Sequence, residues 1–183
     1  MPTPTALLLM DFQVGIADQP FAGAAVRQAV AALEAARAAQ MPVFFVKVGL
    51  RPGAPEVAAS NPRFGPTRQS GAFQGEASRL VPQFQPRPDE PVIDKKRVSA
   101  FAGNDLALIL RANGVQHLVL CGLSTSGVVL STLTAAADLD YTLTVLEDAC
   151  ADRVPEVHAV LTQQVFPRAG QVISGQAWRE GLG

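Results

Sequence analysis

The chain has 183 residues, 48% of them hydrophobic and 17% charged; that is enough to bury the core of one domain and too apolar for a disordered segment. Its 15 basic and 16 acidic residues give a net charge of −1 and are well mixed, so no basic stripe or basic amphipathic helix marks nucleic acid or a membrane surface as a partner. Apolar runs are strand-sized, and the opening MPTPTALLLMD carries neither a basic leader nor a cleavage site, so the sequence predicts a cytoplasmic protein without a transmembrane helix or signal peptide.

Ala6 to Met10 is an apolar run that stops at Asp11. It reads as a parallel strand covered on both faces, which loses its alternation. Phe21 to Gln40 is Ala-rich, with Val26, Val30 and Leu33 at helical spacing, and predicts a packing helix. Pro42 to Val48 is β-branched and aromatic, a second strand. Residues 49–91 hold most of the prolines and no sustained period. Such long irregular segments serve as lids, binding loops or interface arms; a short helix is expected within Gly71 to Phe84. Pro91 to Asp94 predicts a third strand. Asn104 to Asn113 predicts a helix stopped by Gly114. His117 to Cys121, Tyr141 to Glu147 and Gln171 to Ile173 read as three more strands, with helices over Ser126 to Asp138 and Pro155 to Phe166 between them. Strands alternating with helices imply right-handed crossovers in one α/β domain over residues 1–183, with a mainly parallel sheet.

Such sheets bind ligands beyond the carboxyl ends of their strands. Three polar groups fall there: Asp11, Lys95 and the turn Ser124 to Gly127. A carboxylate at a strand end is partly desolvated and can move protons, although Asp11 alone could also be a turn or capping residue. Lys95 lies in VIDKKRVSAF, where alternation puts Lys95 and Arg97 on one side and Lys96 on the other; beside Asp11 it would form a charge pair that steadies an anion. In GLSTSG the backbone N–H groups could cradle an anion, or Ser126 could simply cap the next helix. Neither a P-loop nor a G-x-S-x-G elbow fits this turn. His117 and His158 lack metal-site spacing, and His158 reads as a helix-surface residue. Cys121 and Cys150 are too few for a disulfide framework and read as reduced structural thiols, Cys150 being the one that could approach the site. Asp148 is expected to support a loop or helix start.

Together LLLMDFQVGI, VIDKKRVSAF and LVLCGLSTSGVVLSTLTAAADLDYTLTVLEDACAD resemble the isochorismatase-like hydrolase family, also called cysteine hydrolases, over nearly the whole chain. The K-x-x-x-S-A-F spacing places the family's lysine at Lys95. The resemblance implies a Rossmann-related three-layer α/β/α sandwich on a six-stranded, mainly parallel sheet, assembled as a homodimer or higher oligomer. It implies a triad of aspartate, lysine and nucleophilic cysteine, with Asp11 and Lys95 as the first two. A non-proline cis peptide would fall at Leu123–Ser124, and the N–H groups of Ser124 and Val128 would form the oxyanion cradle.

Two departures stand out. Val128 occupies the position of the cysteine, and Ser126 that of the turn's usual aspartate. The metal-binding histidines of one branch of the family are absent, so neither a metal nor a cofactor is expected. Three readings stay open for a small-molecule substrate: proton-driven hydrolysis by Asp11 and Lys95 without a cysteine; an amide or ester hydrolase using Ser126, Thr125, Cys150 or an activated water; and a non-catalytic binding protein. Thr125, Ser126, Phe64 and Phe73 are the candidate pocket residues, the two phenylalanines also being plausible packing groups.

Overall fold

The computed structural model describes residues 3–182. Its elements run β1 (Thr5–Met10), α1 (Gly23–Ala38), β2 (Val43–Val48), α2 (Thr67–Ser70), β3 (Val92–Lys95), α3 (Leu106–Ala112), β4 (His117–Leu123), α4 (Leu130–Ala137), β5 (Thr142–Ala151), α5 (Pro155–Val160), β6 (Gln171–Ile173) and α6 (Gly175–Glu180). All strand pairs are parallel, in the order β3-β2-β1-β4-β5-β6. The three-layer α/β/α sandwich on six strands is therefore present.

β1 has no alternation because helices cover both of its faces. Leu7 and Leu9 join α1, through Ala25, Ala29 and Leu33, and α6, through Trp178, in one core. Ala6, Leu8 and Met10 join Leu106 and Leu110 of α3 and Leu133 and Ala136 of α4 in the other. The small buried side chains of α1 let that helix lie close to the sheet. From β1 the chain steps outward to β2 and β3, then returns to the other side of β1 as β4. The carboxyl ends of β1 and β4 thus flank the point where strand order reverses, where such sheets open a crevice.

Several boundaries differ from expectation. β5 runs to Ala151, past the expected Glu147, opposite a register shift at Leu120–Gly122 of β4. The polar pair Glu147 and Asp148 ended the apolar pattern, yet both are half-buried at the sheet's end. The helix expected from Ser126 begins instead as a wide π-type turn, Thr125–Val129, and becomes α4 at Leu130. The helix expected over Pro155 to Phe166 is α5, a second wide turn at Leu161–Val165 and a 3₁₀ turn at Phe166–Arg168, where Pro167 offers no N–H. Within residues 49–91 the helical pieces are α2 and a 3₁₀ turn at Gly75–Ser78. α6 was not anticipated; Ser174 Oγ accepts the Ala177 N–H at 3.1 Å, and Asp148 Oδ1 accepts the Gly175 N–H at 2.6 Å. Asp148 thus supports a helix start, as its sequence context suggested. No helix among the described residues is long and apolar enough to cross a membrane.

Candidate active site

Asp11 is the first residue beyond β1. Its N–H donates to Val46 O at 2.8 Å, and its φ of 61° turns the chain off the sheet, a conformation that aspartate tolerates better than most residues. Lys95 ends β3 and is 1% exposed. Its Nζ donates to Asp11 Oδ2, Arg97 O and Val98 O, each at 3.0 Å, so all three ammonium protons are used. Asp11 Oδ1 is buried and has no hydrogen-bond partner in the protein. Burial pushes the Asp11 carboxyl above its ordinary value, against the opposing charge and hydrogen bond of Lys95 and the charge of Arg63. Burial likewise pushes Lys95 down, against Asp11. For both groups desolvation outweighs pairing.

β4 delivers the turn. Its last residue, Leu123, is joined to Ser124 by a cis peptide bond, and Ser124 O accepts the N–H groups of Gly127 at 3.1 Å and Val129 at 3.3 Å. Gly122 matters here because a Cβ on it would lie 3.0 Å from Met10 O and 3.2 Å from Val128 Cγ1; glycine lets β1, β4 and Val128 meet. The Ser126 N–H donates to Asp152 Oδ2 at 2.8 Å, so Ser126 lies within the turn and does not cap it. Burial alone would raise the Asp152 carboxyl, but hydrogen bonds from Ser126 and from the Val154 and Arg153 N–H groups hold it below its ordinary range.

These groups face one cavity of about 550 Å³, within the usual range for small-molecule sites. Asp11, Lys95, Ser124, Ser126, Val128, Phe64 and Phe73 all line it. The sequence brings them from four separate segments. Phe64 also packs in a small core with Val48, Leu50 and Val57, and Phe73 rests against that cluster, so wall and packing are one role here. Thr125 is not on the cavity; it is fully buried, and its Oγ1 lies 2.8 Å from His158 Nδ1. His158 is accordingly half-buried against the turn instead of lying free on a helix surface. Cys150 is not on the cavity either. Burial pushes its thiol up to about 12 and raises Cys121 well above its ordinary value. His117, at the opposite end of β4, is held between Thr144 Oγ1 at 2.9 Å and Thr5 Oγ1 at 3.4 Å.

Three charged cavity residues escaped sequence reasoning: Arg63, Asp152 and Arg153. Asp152 and Arg153 sit just past the true end of β5, which a correct strand boundary would have exposed. Arg63 carries no local signal, because its place depends on the path of the long loop.

The isochorismatase domain matches residues 5–177. The ureidoacrylate amidohydrolase RutB of Caulobacter segnis is 32% identical, across 85% of this chain and 75% of its own. An isochorismatase family protein from Burkholderia thailandensis has a TM-score of 0.87 at 29% identity, over 100% of this chain and 98% of its own. N-carbamoylsarcosine amidase from Thermoplasma acidophilum has a TM-score of 0.77 at 27% identity, over 94% of this chain and 97% of its own.

Proposed function

The chain belongs to the isochorismatase family and is a hydrolase, and from that premise we propose that it hydrolyses a small metabolite by proton transfer at Asp11, without a covalent enzyme intermediate. The observation that carries this reading is the state of the Asp11 carboxyl: Oδ2 is fixed by Lys95 at 3.0 Å, while Oδ1 is buried and unpartnered, on a residue that lines the cavity. Burial favours its protonated form, so Oδ1 can give a proton to the departing or adding atom of the substrate. With a vinyl ether, the proton goes to carbon and leaves an oxocarbenium ion; water adds to it and returns a proton to Asp11, and the hemiketal then collapses, its ether C–O bond breaking as the hydroxyl proton passes to the departing oxygen. Lys95 holds the carboxyl in place, and the N–H groups of Ser124 and Val128 cradle negative charge at the turn.

No substitute nucleophile fits as well. Thr125 is sealed off, and the Cys150 thiol is buried and protonated. Ser126 reaches the cavity, but its carboxylate neighbour Asp152 is held below the ordinary range and is a poor base. The side chain of Val128, at the position where the family resemblance puts a cysteine, has no nucleophilic atom and supplies a methyl wall.

A second reading is amide hydrolysis by a water that Asp11 deprotonates. It is favoured by the activities named for RutB and for N-carbamoylsarcosine amidase. The two readings differ in pH profile: an acid loses activity as pH rises through its pKa, a base gains it. Purified protein assayed on short vinyl ethers, ureido acids and esters should show turnover that falls about 10²- to 10⁴-fold in Asp11→Asn, with no mass adduct under turnover. Full activity in Asp11→Asn, or an acyl adduct by intact mass, overturns the proposal.

A further inference from the structure

Resting on the hydrolase reading above, we propose that Arg63 selects the substrate, pairing its guanidinium with a carboxylate that the substrate carries. The long loop fixes this residue by a local device. Asn61 Oδ1 accepts the N–H groups of Arg63 at 3.0 Å and Phe64 at 2.8 Å, and Phe64 is buried. The backbone at Arg63 is therefore anchored although its side chain is exposed. The guanidinium reaches over the turn: a Cβ on Gly127 would stand 3.0 Å from Arg63 Nη2 and 2.9 Å from Ser124 Oγ. It thus faces the same cavity as Asp11, one residue from Val128.

Among the described residues the Arg63 guanidinium has no carboxylate or carbonyl partner. Arg37, Arg51 and Arg79 each have one, in Glu90, Glu56 and Glu76. Both cavity carboxylates are engaged elsewhere, Asp11 with Lys95 and Asp152 with Ser126. Arg153 lies with its guanidinium carbon 6.0 Å from the Phe21 ring centroid. The cavity holds Arg63, Lys95 and Arg153 against two carboxylates, three positive charges to two negative; neither arginine pairs with a carboxylate, and Arg63 is the one whose guanidinium lies over the turn at Gly127. A planar fork of donors at a small-molecule cavity matches a carboxylate bidentately. The charge of Arg63 also reaches Asp11 and Lys95, so a carboxylate that neutralises it would help Asp11 keep its proton.

Isothermal titration of the full chain tests this with N-carbamoylglycine, N-carbamoyl-β-alanine and pyruvate, each beside its primary amide. At least one acid is expected to bind at least tenfold more tightly than its amide. Arg63→Gln should weaken that acid about 10- to 100-fold, to the level of its amide, as for a lost charge-assisted pair. Arg63→Lys should fall between. Gly127→Ala should weaken the acid while keeping the charge, because its methyl displaces the guanidinium. Unliganded Arg63→Gln should melt at the wild-type temperature, since the guanidinium has no protein partner. Equal binding of acid and amide, undiminished acid binding in Arg63→Gln, or no binding of any acid would overturn the proposal. The two readings fail separately: acid selectivity tests Arg63, and the turnover of Asp11→Asn tests the proton-transfer reading.

Discussion

A carboxyl group that gives up its water must find its solvation in the protein, and Asp11 finds it on one oxygen only. Desolvation raises its pKa, Lys95 works against that rise, and Arg63 adds a smaller opposing influence. A general acid is active below its pKa, so kcat/KM should fall as pH climbs through the value for Asp11. Arg63→Gln removes a positive charge that lowers that value. The alkaline limb of the pH profile should therefore move to higher pH in Arg63→Gln, and should move more at low ionic strength than at high. A limb that moves down, or stays in place at low salt, would show that Arg63 does not act on Asp11. The Asp11 and Lys95 positions were legible in the sequence because each directly follows or ends an apolar strand, where the fold rule fixes location. Arg63 was not, because nothing in its neighbours Pro62 and Phe64 says which way the loop runs.

At the scale of elements, the long segment after β2 is tied down more firmly than its composition implied. Gln13 is fully buried; its Nε2 donates to Val48 O at 3.1 Å and its Oε1 accepts the Val48 N–H at 2.7 Å. Ser78 Oγ donates to the same carbonyl at 2.8 Å. Gln13 also bridges to Leu80, flanked by Val14 N–H to Arg79 O and Val81 N–H to Phe12 O. One side chain thus continues β2 and holds the loop beside the cavity. Gln13→Leu would leave the Val48 N–H without a partner, at a cost of about 1–3 kcal/mol. Hydrogen exchange should then speed up at Val48 and residues 78–81, while amides of α1 keep their protection. Uniform loss across the sheet would refute this local role. Side-chain ties of this kind leave no periodic trace, which is why the strands and α1 were readable and the loop's order was not. The same limit hid the far end of β5 and the cap of α6, both stabilised by polar groups where the apolar pattern had stopped.

Over the whole molecule, the site is placed where it weakens the fold. A carboxyl with a raised folded-state pKa contributes stability at acidic pH that is lost as pH rises through that value. An amine with a lowered one contributes stability at alkaline pH that is lost as pH falls through its own. Asp11 and Lys95 have these signs respectively, so between the two values the buried pair holds its charge at a cost to stability. Removing one partner is worse, because the other stays buried without a counter-charge, about 3–5 kcal/mol for such pairs. Lys95→Met should therefore lower the melting temperature by on the order of 10 °C in a chain of this length. Asp11→Asn keeps a residue that accepts φ near 61°. Combined with Lys95→Met, it should recover most of the loss or exceed the wild type. Thermal melts of the two single variants and the double, run above the pH at which Asp11 loses its proton, complete the cycle. A double variant less stable than Lys95→Met would mean that the pair is a structural strut, retained for the fold and not for proton transfer.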